Sequence, residues 1–105
     1  MIVEQRDYLL VPGGTARYLE TWNRLGREPQ TRHLGEPLGV YTAETGQLNT
    51  IVYLWQFTGP GDRAQRRGQL AADADFAQFR TEVRDLLVTQ SSRLLVPAAF
   101  PSVNG

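Results

Sequence analysis

Asn49-Thr50-Ile51-Val52-Tyr53-Leu54-Trp55-Gln56-Phe57 is the stretch on which the fold turns. It is dense in β-branched and aromatic side chains, which suit a pleated, half-buried surface. Side chains alternate along a strand, so Asn49, Ile51, Tyr53, Trp55 and Phe57 share one face. Upstream, Thr45-Gly46-Gln47 reads as a turn and 38–44 as an antiparallel partner strand. Downstream, Gly59-Pro60-Gly61 ends the strand, and 62–72 reads as a helix with Asp62 near its positive end. Asp73 is placed to cap a second helical segment, whose Phe76, Phe79, Val83 and Leu86/Leu87 form an apolar stripe. A last short strand is expected at 93–96, before Pro97.

The N-terminal part completes the pattern. Residues 2–11 alternate like a strand that stops at Pro12. From Thr15 the period becomes helical through Leu19, Trp22 and Gly26, and Pro29 is expected to end or bend that helix. The order is strand, helix, strand, strand, helix in two pieces, strand. That is an α+β, ferredoxin-like β-α-β-β-α-β chain with an antiparallel sheet and its helices on one face. The other sheet face would be a large bare apolar patch in a chain this small. A homodimer joining two sheets face to face is the economical way to cover it. Alternation alone leaves open which set of side chains turns toward the helices.

Composition narrows the function. The chain has 105 residues, 11 basic and 11 acidic, for a net charge of zero, and no cysteine. Every basic residue is arginine. The length suits one domain over residues 1–105, burying roughly 60–70% of the unfolded surface. Without cysteine there is no disulfide framework and no thiolate chemistry; without lysine there is no Schiff base. Balanced charge argues against a nucleic-acid partner, and no apolar run has the length of a membrane span. The opening residues carry charge at once and do not form a signal peptide, so a cytoplasmic location is expected. One histidine and no cysteine give no metal motif, and no Gly-x-Gly-x-x-Gly or P-loop occurs, so no cofactor is expected.

A family resemblance rests on Arg32-His33-Leu34-Gly35, Gly39-Val40-Tyr41-Thr42, Glu44-Thr45-Gly46-Gln47-Leu48-Asn49 and Leu54-Trp55. Downstream it rests on Asp62-Arg63, Arg66-Arg67, Leu70-Ala71-Ala72-Asp73, Phe76, Phe79, Gln90, Leu94-Leu95 and Pro97-Ala98-Ala99-Phe100-Pro101. In this order the chain resembles the NIPSNAP family over nearly its whole length. The resemblance implies the dimeric α+β barrel superfamily, which also holds antibiotic-biosynthesis-type monooxygenases and small isomerases. Where the family often has histidine before the Leu-Trp pair, this chain has Tyr53.

Several residues could carry chemistry. His33 is the one side chain with an unperturbed pKa near neutrality, hence a candidate general acid/base; it could equally cap carbonyls at a helix end. Tyr53 is the second candidate for handling a proton. Tyr41, Asn49, Tyr53 and Trp55 could line a small-molecule pocket or build an aromatic core. Arg63, Arg66 and Arg67 lie on one helix, with Arg63 and Arg67 at i,i+4; they could grip a carboxylate or phosphate, or form a solvated face. Arg63 also matches the family pattern, and Arg32 adjoins His33. Glu4, Arg6 and Tyr8 share a strand face; if it turns inward, Glu4 and Arg6 must pair there, as a structural ion pair or as a ligand clamp.

The expected function is that of a homodimeric barrel protein of unassigned activity that binds a small organic molecule between sheet and helices. His33 and Tyr53 are the candidate catalytic residues, and Arg32, Tyr41, Asn49, Trp55, Arg63 and Arg67 the candidate ligand-binding residues. The alternatives are a cofactor-independent monooxygenase- or isomerase-like enzyme, and a non-enzymatic dimeric interaction protein.

Overall fold

The aromatic stretch forms an inner strand. In the computed structural model, which describes residues 1–100, β3 (Thr50–Phe57) lies between β2 (Gly39–Thr42) and β1 (Ile2–Leu10). β4 (Leu87–Leu95) closes the sheet on the far side of β1, giving the order β2-β3-β1-β4. All three pairings are antiparallel. The helices are α1 (Thr15–Thr21), α2 (Arg27–Leu34), α3 (Pro60–Ala71) and α4 (Ala74–Val83). The ferredoxin-like α+β order read from the sequence is the order observed.

Burial decides which strand face turns toward the helices. Ile2, Glu4, Tyr8 and Leu10 of β1 and Ile51, Tyr53, Trp55 and Phe57 of β3 are buried. All but Glu4 pack with Tyr18, Trp22, Phe79 and Val83 from the helical layer in one apolar cluster. Tyr53 sits at its centre, with Trp22, Tyr8 and Trp55 at ring-centroid distances of 5.3, 5.6 and 5.9 Å. Burying rings of this size is the main stabilisation available to a small domain. The opposite sheet face carries Val3, Leu9, Val52 and Leu54, all half-exposed.

Three local expectations need correction. Pro29 does not end the first helix. A π-helical turn, Trp22–Gly26, leads into α2, which runs on to Leu34. Pro29 therefore lies inside one continuous helical run, just after the π-turn, rather than at its end. The π-turn also sets Gly26 against α4: a Cβ there would lie 2.7 Å from the Phe79 ring. Second, the helical stripe ends at Val83; Leu86 belongs to a 3-10 turn and Leu87 opens β4. Third, β4 spans Leu87–Leu95 rather than 93–96. Its middle, Thr89-Gln90-Ser91-Ser92, is exposed and lacks an apolar alternation, and the ladder to β1 holds it in place. An edge strand can be this polar because only one side of its backbone needs a partner.

Candidate functional site

Glu4 is an ionisable side chain with no exposed surface, at the centre of the inward face of β1. Four side chains meet it. From α3, Arg63 Nη2 donates to Oε2 at 2.7 Å and Arg67 Nε donates to Oε1 at 3.0 Å. From β4, Ser92 Oγ donates to Oε2 at 2.6 Å. From β1 itself, Arg6 Nη1 reaches Oε2 at 3.3 Å. Alternation brings Glu4 and Arg6 together, and the i,i+4 spacing of Arg63 and Arg67 aims both from one turn of α3. The carboxylate that these helix arginines grip is thus the chain's own. Burial alone would push the Glu4 carboxyl up, but Arg63, Ser92, Arg67 and Arg6 outweigh it and hold the pKa down to about 2.

Three guanidinium groups share this one carboxylate, so the cluster carries excess positive charge. The excess faces a cavity. A space of about 500 Å³ opens between the sheet and α3 and α4. Tyr8, Tyr18, Leu70, Phe76 and Phe79 make much of its wall. Arg6, Tyr53 and Arg67 bring polar groups to the same wall, and no Asp or Glu is part of the lining. Arg6 also donates through Nε to Tyr8 Oη at 3.2 Å and through Nη2 to Gln90 Oε1 at 3.4 Å. One buried polar atom of the wall residues lacks a partner, Tyr53 Oη. Arg67 Nη2 makes no well-directed hydrogen bond but is ion-paired 2.8 Å from Glu4 Oε1. A buried donor left unmade costs stability and commonly marks a functional position. Burial pushes the Tyr53 phenol far above its usual range, so it stays neutral and offers a proton to a hydrogen bond.

The remaining predicted residues lie elsewhere. His33 sits at the end of α2 with its Nε2 2.9 Å from Asp73 Oδ2. Arg32 Nη2 donates to the same oxygen at 2.6 Å. Asp73 Oδ1 accepts from Phe76 N at 3.0 Å, capping α4 as its position suggested. Arg66 Nη1 adds a bond to the His33 carbonyl oxygen at 3.2 Å. Arg32 and His33 therefore clip the end of α2 to the α3–α4 junction. Asn49 adopts a left-handed φ of 61°, and its Oδ1 accepts from Gly13 N at 3.0 Å, tying two loops together. Trp55 lies fully within the core. Tyr41 is 53% exposed on β2, its ring laid over Gly39. Arg63 joins the Glu4 cluster but not the cavity wall. Of the eight residues singled out, Tyr53 and Arg67 reach the cavity. Reading by residue type passed over Gln90, Tyr18 and Phe76 in the wall and Ser92 beside it; β4 supplies Gln90 and Ser92, and its polar middle gave no strand signal.

Among the described residues, no group of His, Asp and Glu is arranged to hold a metal ion. No helix of the described residues is long and apolar enough to cross a membrane.

The chain matches the family model NIPSNAP over residues 3–102. The crystal structure of a nipsnap family protein with unknown function from Agrobacterium tumefaciens superposes with a TM-score of 0.91 at 38% identity. The match covers 95% of this chain and 90% of that one. A NIPSNAP-like domain protein from Burkholderia xenovorans gives 0.90 at 33% identity, over 94% and 86% of the two chains. The human Protein NipSnap homolog 3B is 27% identical over 99 residues, which is 94% of this chain and 40% of the human protein. The chain thus spans less than half the length of that relative. A solved antibiotic biosynthesis monooxygenase shares the fold alone, with a TM-score of 0.63 and 11% identity over 93% of this chain and 99% of that one. With its strand order, its whole-length match and these relatives in agreement, the chain belongs to the NIPSNAP family.

Proposed function

We propose that this chain binds a small organic molecule in the cavity between its sheet and α3 and α4. The observation that carries the reading is the cavity itself: about 500 Å³, with aromatic walls, four arginines and a buried phenol that the protein leaves unpartnered. Ligand sites have this size and this balance of apolar wall and few polar handles. Native mass spectrometry of the purified protein is expected to show a retained small molecule. Ala77→Trp, which fills the cavity from α4, is expected to release it with the fold intact by circular dichroism. Retention unchanged in that variant would end the reading.

The protein acts as a homodimer in this reading, its two sheets meeting through the face away from the helices. Val3, Leu9, Val52 and Leu54 give that face an apolar strip, and Tyr41 and Leu95 expose more of it at the edges. Light scattering is expected to give a dimer mass that Leu54→Arg reduces to the monomer. A monomer mass for the unaltered protein would reject the dimer.

A further inference from the structure

We infer that the cavity selects a carboxylate attached to an aromatic or other flat apolar body, with the carboxylate drawn to the arginines of its wall, Arg6, Arg67, Arg80 and Arg84. The inference rests on the proposed small-molecule site and assigns its ligand class. Three features of the wall carry it. First, its charge is one-sided: Arg6, Arg67, Arg80 and Arg84 line the cavity and no carboxylate does. Second, the cationic surplus is built in. Glu4 can neutralise one of the three guanidinium groups it collects, and all three are brought to it by fixed elements, β1 and α3. Crowding of this kind is costly in a low-dielectric setting unless an anion joins it. Burial and the nearby Arg6 accordingly push the Arg67 guanidinium below its usual range. Third, the one unpartnered group of the wall residues is the neutral phenol of Tyr53, a donor suited to an acceptor oxygen.

The rest of the wall fits the body of such a molecule. Tyr8, Tyr18, Phe76 and Phe79 offer ring faces and edges, and Leu70 adds aliphatic surface. A phosphate monoester shares the anionic chemistry but presents three oxygens and up to two charges. Its desolvation in this half-apolar space would exceed what the wall's donors return.

Calorimetry with 2-naphthoate, 2-naphthamide and 2-naphthyl phosphate tests the assignment. The acid is expected to bind about tenfold or more tightly than the isosteric amide, the return on a charged over a neutral hydrogen bond, and more tightly than the phosphate. Arg67→Gln is expected to remove that preference while leaving the amide's affinity unchanged. Because Arg67 also braces Glu4, a crystal structure of the unaltered protein with 2-naphthoate serves as the second measurement. It is expected to show a carboxylate oxygen within hydrogen-bond distance of a guanidinium nitrogen of the wall. Equal binding of acid and amide in the cavity would overturn the carboxylate assignment and leave the small-molecule reading standing. So would a carboxylate turned out to solvent, or tighter binding of the phosphate. No binding of any of the three, with the cavity closed in the crystal, would overturn both.

Discussion

Glu4 and Asp73 are both carboxylates ringed by cations, yet they are opposite devices. At Asp73 supply and demand match. Oδ1 takes the Phe76 amide, and Oδ2 takes Arg32 and His33. Arg32 has a second acceptor in Glu28, at 3.0 Å, one turn back. Nothing is left over, and the cluster ties a helix end to a helix start at the surface. At Glu4 the carboxylate is wholly buried, three arginines converge on it, and donors remain unused beside a cavity. A closed cluster serves the fold, whereas one with donors to spare is prepared for something else.

The largest expected effect comes from removing the charge that the three arginines share. Glu4→Gln leaves three partly buried guanidinium groups without their shared counter-ion and should destabilise the protein by about 3–5 kcal/mol in urea unfolding. A loss under about 1 kcal/mol would mean that the cluster is not a stability element, and the contrast with Asp73 would collapse.

Acid should produce the next largest effect. The folded Glu4 carboxyl titrates near 2, against 4.5 for the ordinary side chain. A depressed carboxyl stabilises the folded state above its unfolded pKa and loses that contribution as pH falls through the folded value. Between roughly pH 5 and pH 2, then, about 3 kcal/mol of stability should disappear. Asp73 is depressed too, first by His33, then by the Phe76 amide and Arg32, so part of the acid response belongs to it. Arg63→Gln separates the two clusters. With one partner gone, the Glu4 carboxyl rises, and the midpoint of the acid loss in chemical-denaturation profiles should move upward. An unmoved midpoint would assign the loss to Asp73.

Asp73→Ala ranks third. It removes the α4 cap together with the Arg32 and His33 contacts, of which the pair with the half-exposed Arg32 is screened by water. Calorimetry should show a melting temperature lowered by a few degrees, less than for Glu4→Gln. Affinity for 2-naphthoate should stay within about twofold, since the two clusters share no residue. A large fall in affinity would join the clusters into one system.

The two clusters also differ in how far the sequence revealed them. The Asp73 cap was legible because a capping residue announces itself locally, just ahead of the helix it starts. The Glu4–Arg6 pair was legible for the same reason, since alternation places residues two apart on one face. Arg67 and Ser92 reach Glu4 from 63 and 88 positions away, and no local period encodes such a meeting. The strand order that creates it could be inferred from the sequence of elements. The registers could not, nor could the start of β4, whose polar middle follows its neighbour rather than any apolar pattern. His33 drew attention as the one histidine, but its role is set by Asp73, a neighbour 40 positions away that brings it to a helix clip.

The smallest expected effect on stability is the sharpest on function. Tyr53 Oη is buried without a partner, so Tyr53→Phe removes a group whose hydration was lost on folding and not replaced. Its ring, held by Trp22, Tyr8 and Trp55, is kept. Stability in urea should therefore change by no more than about 0.5 kcal/mol, and in the stabilising direction if at all. Affinity for 2-naphthoate should fall about three- to tenfold, the worth of one hydrogen bond. A residue that served only the core would leave binding unchanged, and that outcome would return Tyr53 to the aromatic cluster and leave the wall's arginines as the groups that hold the ligand.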